Sequence, residues 1–71
     1  MPSKYPVLKP TEVIRRLERF SFYKVSQRGS HVKYSDGVHV CIIPMHEEVA
    51  KGTLKSILEQ ANLSLYEFMA E

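Results

Sequence analysis

Three histidines, one cysteine and a short run of cations are the residues of this chain that could do chemistry. They are His31, His39 and His46, Cys41, and the group Lys24, Arg28 and Lys33. His31 follows Gly29-Ser30 directly. A histidine titrates near neutrality, so it can take a proton from one group and return it to another. Cations beside it would hold a phosphate and stabilise the negative charge added during attack on phosphorus. For RNA the proton to be taken is that of the ribose 2′-OH, which then attacks the adjacent phosphate. That scheme needs no metal. An exposed strand histidine can equally be a solvated side chain, and His31 alone leaves both possibilities open.

The other candidates are weaker. Spacing at 31, 39 and 46 puts the histidines on two strands and a loop, with no carboxylate or thiolate arranged between them, so no metal site is expected. His39 is expected on the same strand face as His31, opposite Lys33, as a solvated or RNA-facing residue. His46 follows Pro44-Met45 in a loop, where it could cap backbone or contact a partner. Ser30 and His31 are neighbours and point to opposite faces of a strand, which argues against a nucleophile–base pair. Cys41 is the better nucleophile candidate, because a thiol–imidazole pair with His31 is geometrically possible. It could as well be a packing residue.

The elements that must carry these residues can be read from periodicity. Residues 1–8 form a lead-in. Pro10 suits a first helical position, and with Lys9 as cap, Glu12 falls at the third position and Leu8 can staple onto Val13. Val13, Ile14, Leu17 and Phe20 form one apolar stripe over about 10–20, with Arg15, Arg16, Glu18 and Arg19 on the surface. Three short strands follow. Alternation places Tyr23, Val25, Val32, Tyr34, Val38, Val40 and Ile42 on the core face. Lys24, Ser26, His31, Lys33, His39, Cys41 and Ile43 lie opposite. An Arg28-Gly29 turn pairs Val25 with Val32 and sets Lys24 against Lys33, a like-charge pair that bound phosphate would relieve. A Ser35-Asp36-Gly37 loop pairs Val32 with Val40. Pro44 ends the third strand. Leu54, Ile57, Leu58 and Ala61 mark a second helix, ended by a left-handed Asn62. Ser64 with Glu67 makes a capping box for a last short helix, with Leu63 and Phe68 as its staple. The expected class is α+β, in the order α-β-β-β-α-α, with helices on one face of a three-stranded antiparallel sheet.

Composition bounds the rest. At 71 residues a single domain spanning 1–71 is expected. A net charge of +2 gives no whole-chain argument for nucleic acid, so the placement of charge must decide. One cysteine rules out an internal disulfide. No apolar run approaches the ~18 residues of a spanning helix, and the N-terminus shows no signal-peptide pattern. The expectation is a cytoplasmic protein without a membrane partner.

Gly29-Ser30-His31, Pro44-Met45-His46, the run "KGTLKSILEQANLS" over 51–64 and "YEF" over 66–68 together resemble the HicA toxin family. The likeness extends from "LKPTEVIRRLE" to the end of the chain. It implies a fold like that of double-stranded-RNA-binding domains and a toxin that cleaves messenger RNA. It also implies a HicB-type antitoxin as partner, no cofactor, and one catalytic histidine, that of Gly-Ser-His, which is His31 here. Lys24, Arg28, Ser30, Lys33 and His39 are then the expected RNA contacts, and Gly29 the turn that presents the site. Three positions depart from the family pattern: Glu47 and Glu48 follow Pro-x-His where basic or glycine-rich sequence is usual, and Asn62 stands in place of glycine. Two other classes fit the same residues. One is a non-catalytic RNA-binding module using the same basic face; the other is a protein-binding adaptor docking a partner on the open sheet.

Overall fold

Each helix begins where the sequence supplies a start. In the computed structural model, which describes residues 4–70, α1 runs Pro10–Glu18 with Lys9 as its extended N-cap. Residues 1–3 of the expected lead-in lie outside the described residues. Val13 and Leu17 are fully buried, and Ile14 and Phe20 pack at the margin of the core. α2 runs Lys51–Ala61 and buries Leu54, Ile57, Leu58 and Ala61; it ends at Asn62 in the left-handed conformation, φ 59 and ψ 40. α3 runs Leu65–Met69 behind a complete Ser64–Glu67 capping box. The element order is the one periodicity implies.

Between the first two helices lie β1, Tyr23–Arg28, β2, His31–Ser35, and β3, Val40–Pro44, in an antiparallel sheet of order β1-β2-β3. Val32 and Tyr34 of β2 and Cys41 and Ile43 of β3 are buried beneath the helices, with Phe22, Val49 and Phe68 completing the core. Fully burying one such aliphatic side chain contributes roughly 1.5–3 kcal/mol. Leu8 pairs with Val49 in an isolated antiparallel bridge, Val49 N–H donating to the Leu8 carbonyl at 2.7 Å. No helix among the described residues is long and apolar enough to cross a membrane.

Both strand registers differ from the expected ones. The hairpin turn is Gly29-Ser30, with Arg28 opposite His31, Gln27 opposite Val32 and Ser26 opposite Lys33. A bulge at Val25 then sets Lys24 against Tyr34. Lys24 therefore does not face Lys33; it donates to Gln27 Oε1 at 2.8 Å. Every residue of β1 is exposed, Tyr23 and Val25 included, so no buried face holds this edge strand in one register. Turn geometry decides instead. Gly29 has φ +59 at the first of two turn positions, the place a type II′ hairpin reserves for glycine.

β3 is displaced by three residues from its expected pairing, with Tyr34 opposite Cys41 and Val32 opposite Ile43. The connection is longer than expected because Asp36 builds a loop. Its Oδ1 accepts the Val38 and His39 backbone N–H groups at 2.9 and 2.7 Å, and Gly37 takes φ +97. Val38 consequently sits in the loop and is 82 % exposed. The swap of faces follows: Cys41 and Ile43 point to the core, while Val40 and Ile42 are exposed. Val40-Cys41-Ile42-Ile43 is apolar throughout, so alternation does not choose a face for it.

Arg16 is a further departure, since it is buried rather than on the surface. Its Nε donates to Glu12 Oε2 at 2.6 Å, and its Nη1 donates to the Phe68 and Met69 carbonyls at 3.2 and 3.3 Å. Arg15 donates to the same carboxylate at 2.7 Å. Hydrogen bonding from Arg15 is the main effect holding the Glu12 carboxyl below its ordinary value, against the opposing effect of burial; Arg16 adds to the lowering. α3 is thus docked by one fully buried side chain, Phe68, and by a guanidinium on its last carbonyls, where a cation also suits the helix dipole. Arg16→Met keeps the aliphatic stem and strips both carbonyls and Glu12 of this donor. It should cost roughly 1.5–3 kcal/mol, a fall in Tm of about 10 °C for a chain of this size. Arg16→Lys should recover little, since one ammonium cannot reproduce the planar fork. An unchanged melting curve for Arg16→Met would show that the clamp contributes nothing.

Candidate functional site

Alternation along β2 sends Val32 and Tyr34 into the core and leaves His31 and Lys33 on the open side of the sheet. Cross-strand partners share that side. Arg28 and Pro44 flank His31, and Ser26 and Ile42 flank Lys33. Ser26, Arg28, His31, Lys33 and Ile42 line a hollow of about 370 Å³. Among the described residues neither Arg28 nor Lys33 takes part in an ion pair, so both cations are available to an anion. A phosphate group entering the hollow would meet two positive charges and an exposed imidazole.

The turn before His31 is tied down from two directions. Gln27 Nε2 donates to the Gly29 carbonyl at 3.0 Å. On the other side the Met45 N–H donates to the Ser30 carbonyl, carrying the β2–β3 ladder one step beyond the His31–Pro44 pair. This bond folds the residues after β3 back along the turn, and His46 arrives beside His31. The two rings stand edge to face, 6.0 Å between centroids and 89° between planes. The pairing was not foreseen. In the expected register Pro44 runs past the end of β2, which leaves His46 no neighbour. The usable signal was Pro44 itself, since the residue that closes β3 had to lie near the one that opens β2.

The remaining expected residues are placed as follows. Ser30 occupies the second turn position, its carbonyl engaged with Met45. Lys24 is paired in the row of Tyr34, apart from Arg28 and Lys33. His39 is not on the strand face opposite Lys33, because it belongs to the loop. Its Nδ1 is 3.1 Å from Asp36 Oδ2. Cys41 is fully buried on the helix side, and burial, with a smaller effect of the Asp36 charge, pushes its thiol up to about 11. Cys41 and His31 lie on opposite faces of the sheet, so the thiol–imidazole pair does not form. Among the described residues no group of three or more His, Cys, Asp or Glu could hold a metal ion.

The family model for HicA toxins of bacterial toxin-antitoxin systems matches residues 10–63. That span holds α1, the whole sheet and α2, with His31 and His46 inside it. The chain is a member of the HicA toxin family. No curated protein matches it. Membership makes it the toxin of a toxin–antitoxin pair, with an antitoxin for a partner, and the resemblance seen in Gly-Ser-His and Pro-x-His is accounted for.

The Asp36 loop, which removes His39 from the HicA open face, has a pH signature. Backbone N–H donation from His39 is the largest influence on the Asp36 carboxyl, followed by the His39 side chain and the Val38 N–H; together they bring it down to about 2. A carboxyl lowered on folding contributes stability above its unfolded value and loses it as pH falls through the folded one. Asp36→Asn should therefore lie below wild type in Tm at neutral pH. The gap should close as pH falls from about 4 toward about 2. Thermal melts across that range check it, and a gap independent of pH would remove the carboxylate from any role in the loop.

Proposed function

We propose that this HicA-family toxin is a cytoplasmic, metal-independent endoribonuclease that cleaves messenger RNA, with His31 as its general acid/base. The observation carrying the proposal is the exposed His31 held between Arg28 and Lys33 in one hollow at the head of a pinned hairpin. His31 takes the 2′-OH proton, the oxygen attacks phosphorus, and Arg28 and Lys33 stabilise the charge that builds on the phosphate. The resemblance of Gly29-Ser30-His31 to the family's catalytic tripeptide supports the same residue. Of the five RNA contacts expected from sequence, Arg28 and Lys33 stand together with His31, and Ser30 adjoins them. Lys24 and His39 stand apart and take no part in the scheme.

Purified toxin should cleave single-stranded RNA in excess EDTA. His31→Ala should lose ~10²–10⁴ in rate while its circular dichroism stays native. Arg28→Ala and Lys33→Ala should each weaken RNA binding and reduce the salt slope by about one, while Lys24→Ala should do less. Full activity in His31→Ala would refute the catalytic role, and loss in EDTA would refute metal independence. RNA binding without cleavage by the wild type would leave the non-catalytic RNA-binding module.

The partner in this proposal is a HicB-type antitoxin that covers the open face and presents carboxylates to Arg28 and Lys33. Val40 and Ile42, exposed beside Lys33, supply the apolar part of that surface in place of Cys41 and Ile43. Association measured by stopped flow should slow as salt is added, His31→Ala should still bind, and the bound antitoxin should stop cleavage. An antitoxin complex that still cleaves RNA would contradict neutralisation by cover.

A further inference from the structure

His31 acting alone would have to carry the proton it removes from the 2′-OH across to the leaving 5′ oxygen. The structure places a second imidazole, that of His46, beside His31. We propose that His46 is a second catalytic residue, the general acid that protonates the leaving 5′ oxygen while His31 acts as the base. The inference rests on the ribonuclease activity proposed above and deepens it.

Three observations carry it. First, the rings are 6.0 Å apart and perpendicular, so they are neighbours without being stacked. An acid or base acts on a proton within about 3 Å of its own nitrogen, and two rings at this separation can reach different oxygens of one phosphate group. Second, the loop that carries His46 is held at both ends. Met45 N–H binds the Ser30 carbonyl and Val49 N–H binds the Leu8 carbonyl, so His46 is fixed near His31 by backbone. Third, the two rings keep different company. His31 shares its hollow with Arg28 and Lys33, while His46 lines a neighbouring hollow with Glu47 and Glu48. Cations around His31 suit the side that binds phosphate. Carboxylates beside His46 set its ring apart from the side that binds phosphate. The two glutamates, an anomaly for a phosphate-holding loop, fit a loop that carries the acid.

The step balances. His31 accepts the 2′-OH proton, the O2′–P bond forms, the P–O5′ bond breaks, and O5′ takes the proton from His46. The products are a 2′,3′-cyclic phosphate and a 5′-hydroxyl end. His31 is left charged and His46 neutral, and exchange with water restores both. No oxidant, metal or co-reactant is consumed.

The test compares two RNA substrates, one with an ordinary phosphodiester and one with sulfur replacing the bridging 5′ oxygen at the cleaved linkage. A thiolate leaves without being protonated, so the second substrate does not need the acid. Wild type should cleave both, with a bell-shaped pH dependence on the ordinary linkage. His46→Ala and His46→Gln should lose ~10²–10⁴-fold on the ordinary linkage and its alkaline limb, yet come within about tenfold of wild type on the sulfur linkage. His31→Ala should be defective on both. Thermal melts of both His46 variants should match wild type, since the side chain is exposed. Equal losses on the two substrates would make His46 a positioning residue and overturn the assignment, as would unaltered cleavage of the ordinary linkage. Failure of wild type to cleave either substrate would overturn the ribonuclease activity itself, a result distinct from failure of the His46 variants alone.

Discussion

One backbone hydrogen bond, from the Met45 N–H to the Ser30 carbonyl, organises the site. Without it β3 would end at Pro44 and the next residues would leave the sheet in a direction set by solvent. With it, the ladder continues past the hairpin turn, and two motifs fifteen positions apart in sequence meet. The bond requires the turn to present an outward carbonyl at position 30, and Gly29 at φ +59 makes that turn short enough to do so. An L side chain at position 29 would meet no atom within 4 Å; the cost of replacing the glycine would come from the backbone conformation alone. Gly29 thus acts on the site through the chain's path, while His31 and His46 are the side chains to which the proposal gives the chemistry.

The two faces of β2 divide stability from function at single-residue resolution. Val32 and Tyr34 are buried and fix the strand against the helices, while His31 and Lys33, alternating with them, are held in place without being buried. A charged or titrating group stays cheap when it remains hydrated, and the packing of its neighbours still restrains its backbone. β1 has no such anchor. All six of its residues are exposed, and it stays in place through the turn, the ladder and its bulge. Arg28 stands beside His31 because it closes the hairpin; a register fixed only from the far end of β1 would have put another residue there.

What could be read from sequence follows the strength of each local signal. The helices were legible because Pro10, Asn62 and the Ser64–Glu67 pair are caps with their own geometry, and the apolar stripes between them have one period. The sheet was legible as three antiparallel strands. Its registers were not, because β1 buries nothing and because Val40-Cys41-Ile42-Ile43 offers an apolar side chain to either face. The loop length that settles β3 depends on the Asp36 side chain accepting two backbone N–H groups, a local side-chain bond that a turn rule based on Gly37 does not contain. Arg16 was placed on the surface since charged residues usually are; α3, docking later in the chain, buries it. The open-face placement of His31 was legible from the alternation of β2, and the residues expected beside it were half legible: Arg28 and Lys33 share its face, whereas Lys24 and His39 were drawn off by the bulge and by Asp36. His46 was a loop histidine with no neighbour until the register of β3 was known.

A site on an uncovered sheet cannot use the strengthening that a dry pocket gives to every charge. On the proposed reading it works through groups that function in water: cations already in place for phosphate, and imidazoles that carry protons. His31, Arg28 and Lys33 on a short, pinned hairpin, with His46 beside them on the loop after β3, are such a set. The same openness leaves the HicA toxin's restraint to its antitoxin, because nothing within the described residues folds over His31. On the proposed reading the surface that admits an RNA backbone is also the surface an antitoxin fills, and a ligand with carboxylates over Arg28 and Lys33 and apolar groups over Val40 and Ile42 would complement it. RNA offers the charge without the apolar match. On the proposed reading, the exposed Val40 and Ile42 of β3 on the face of Lys33 would let that face take RNA and antitoxin by different contacts.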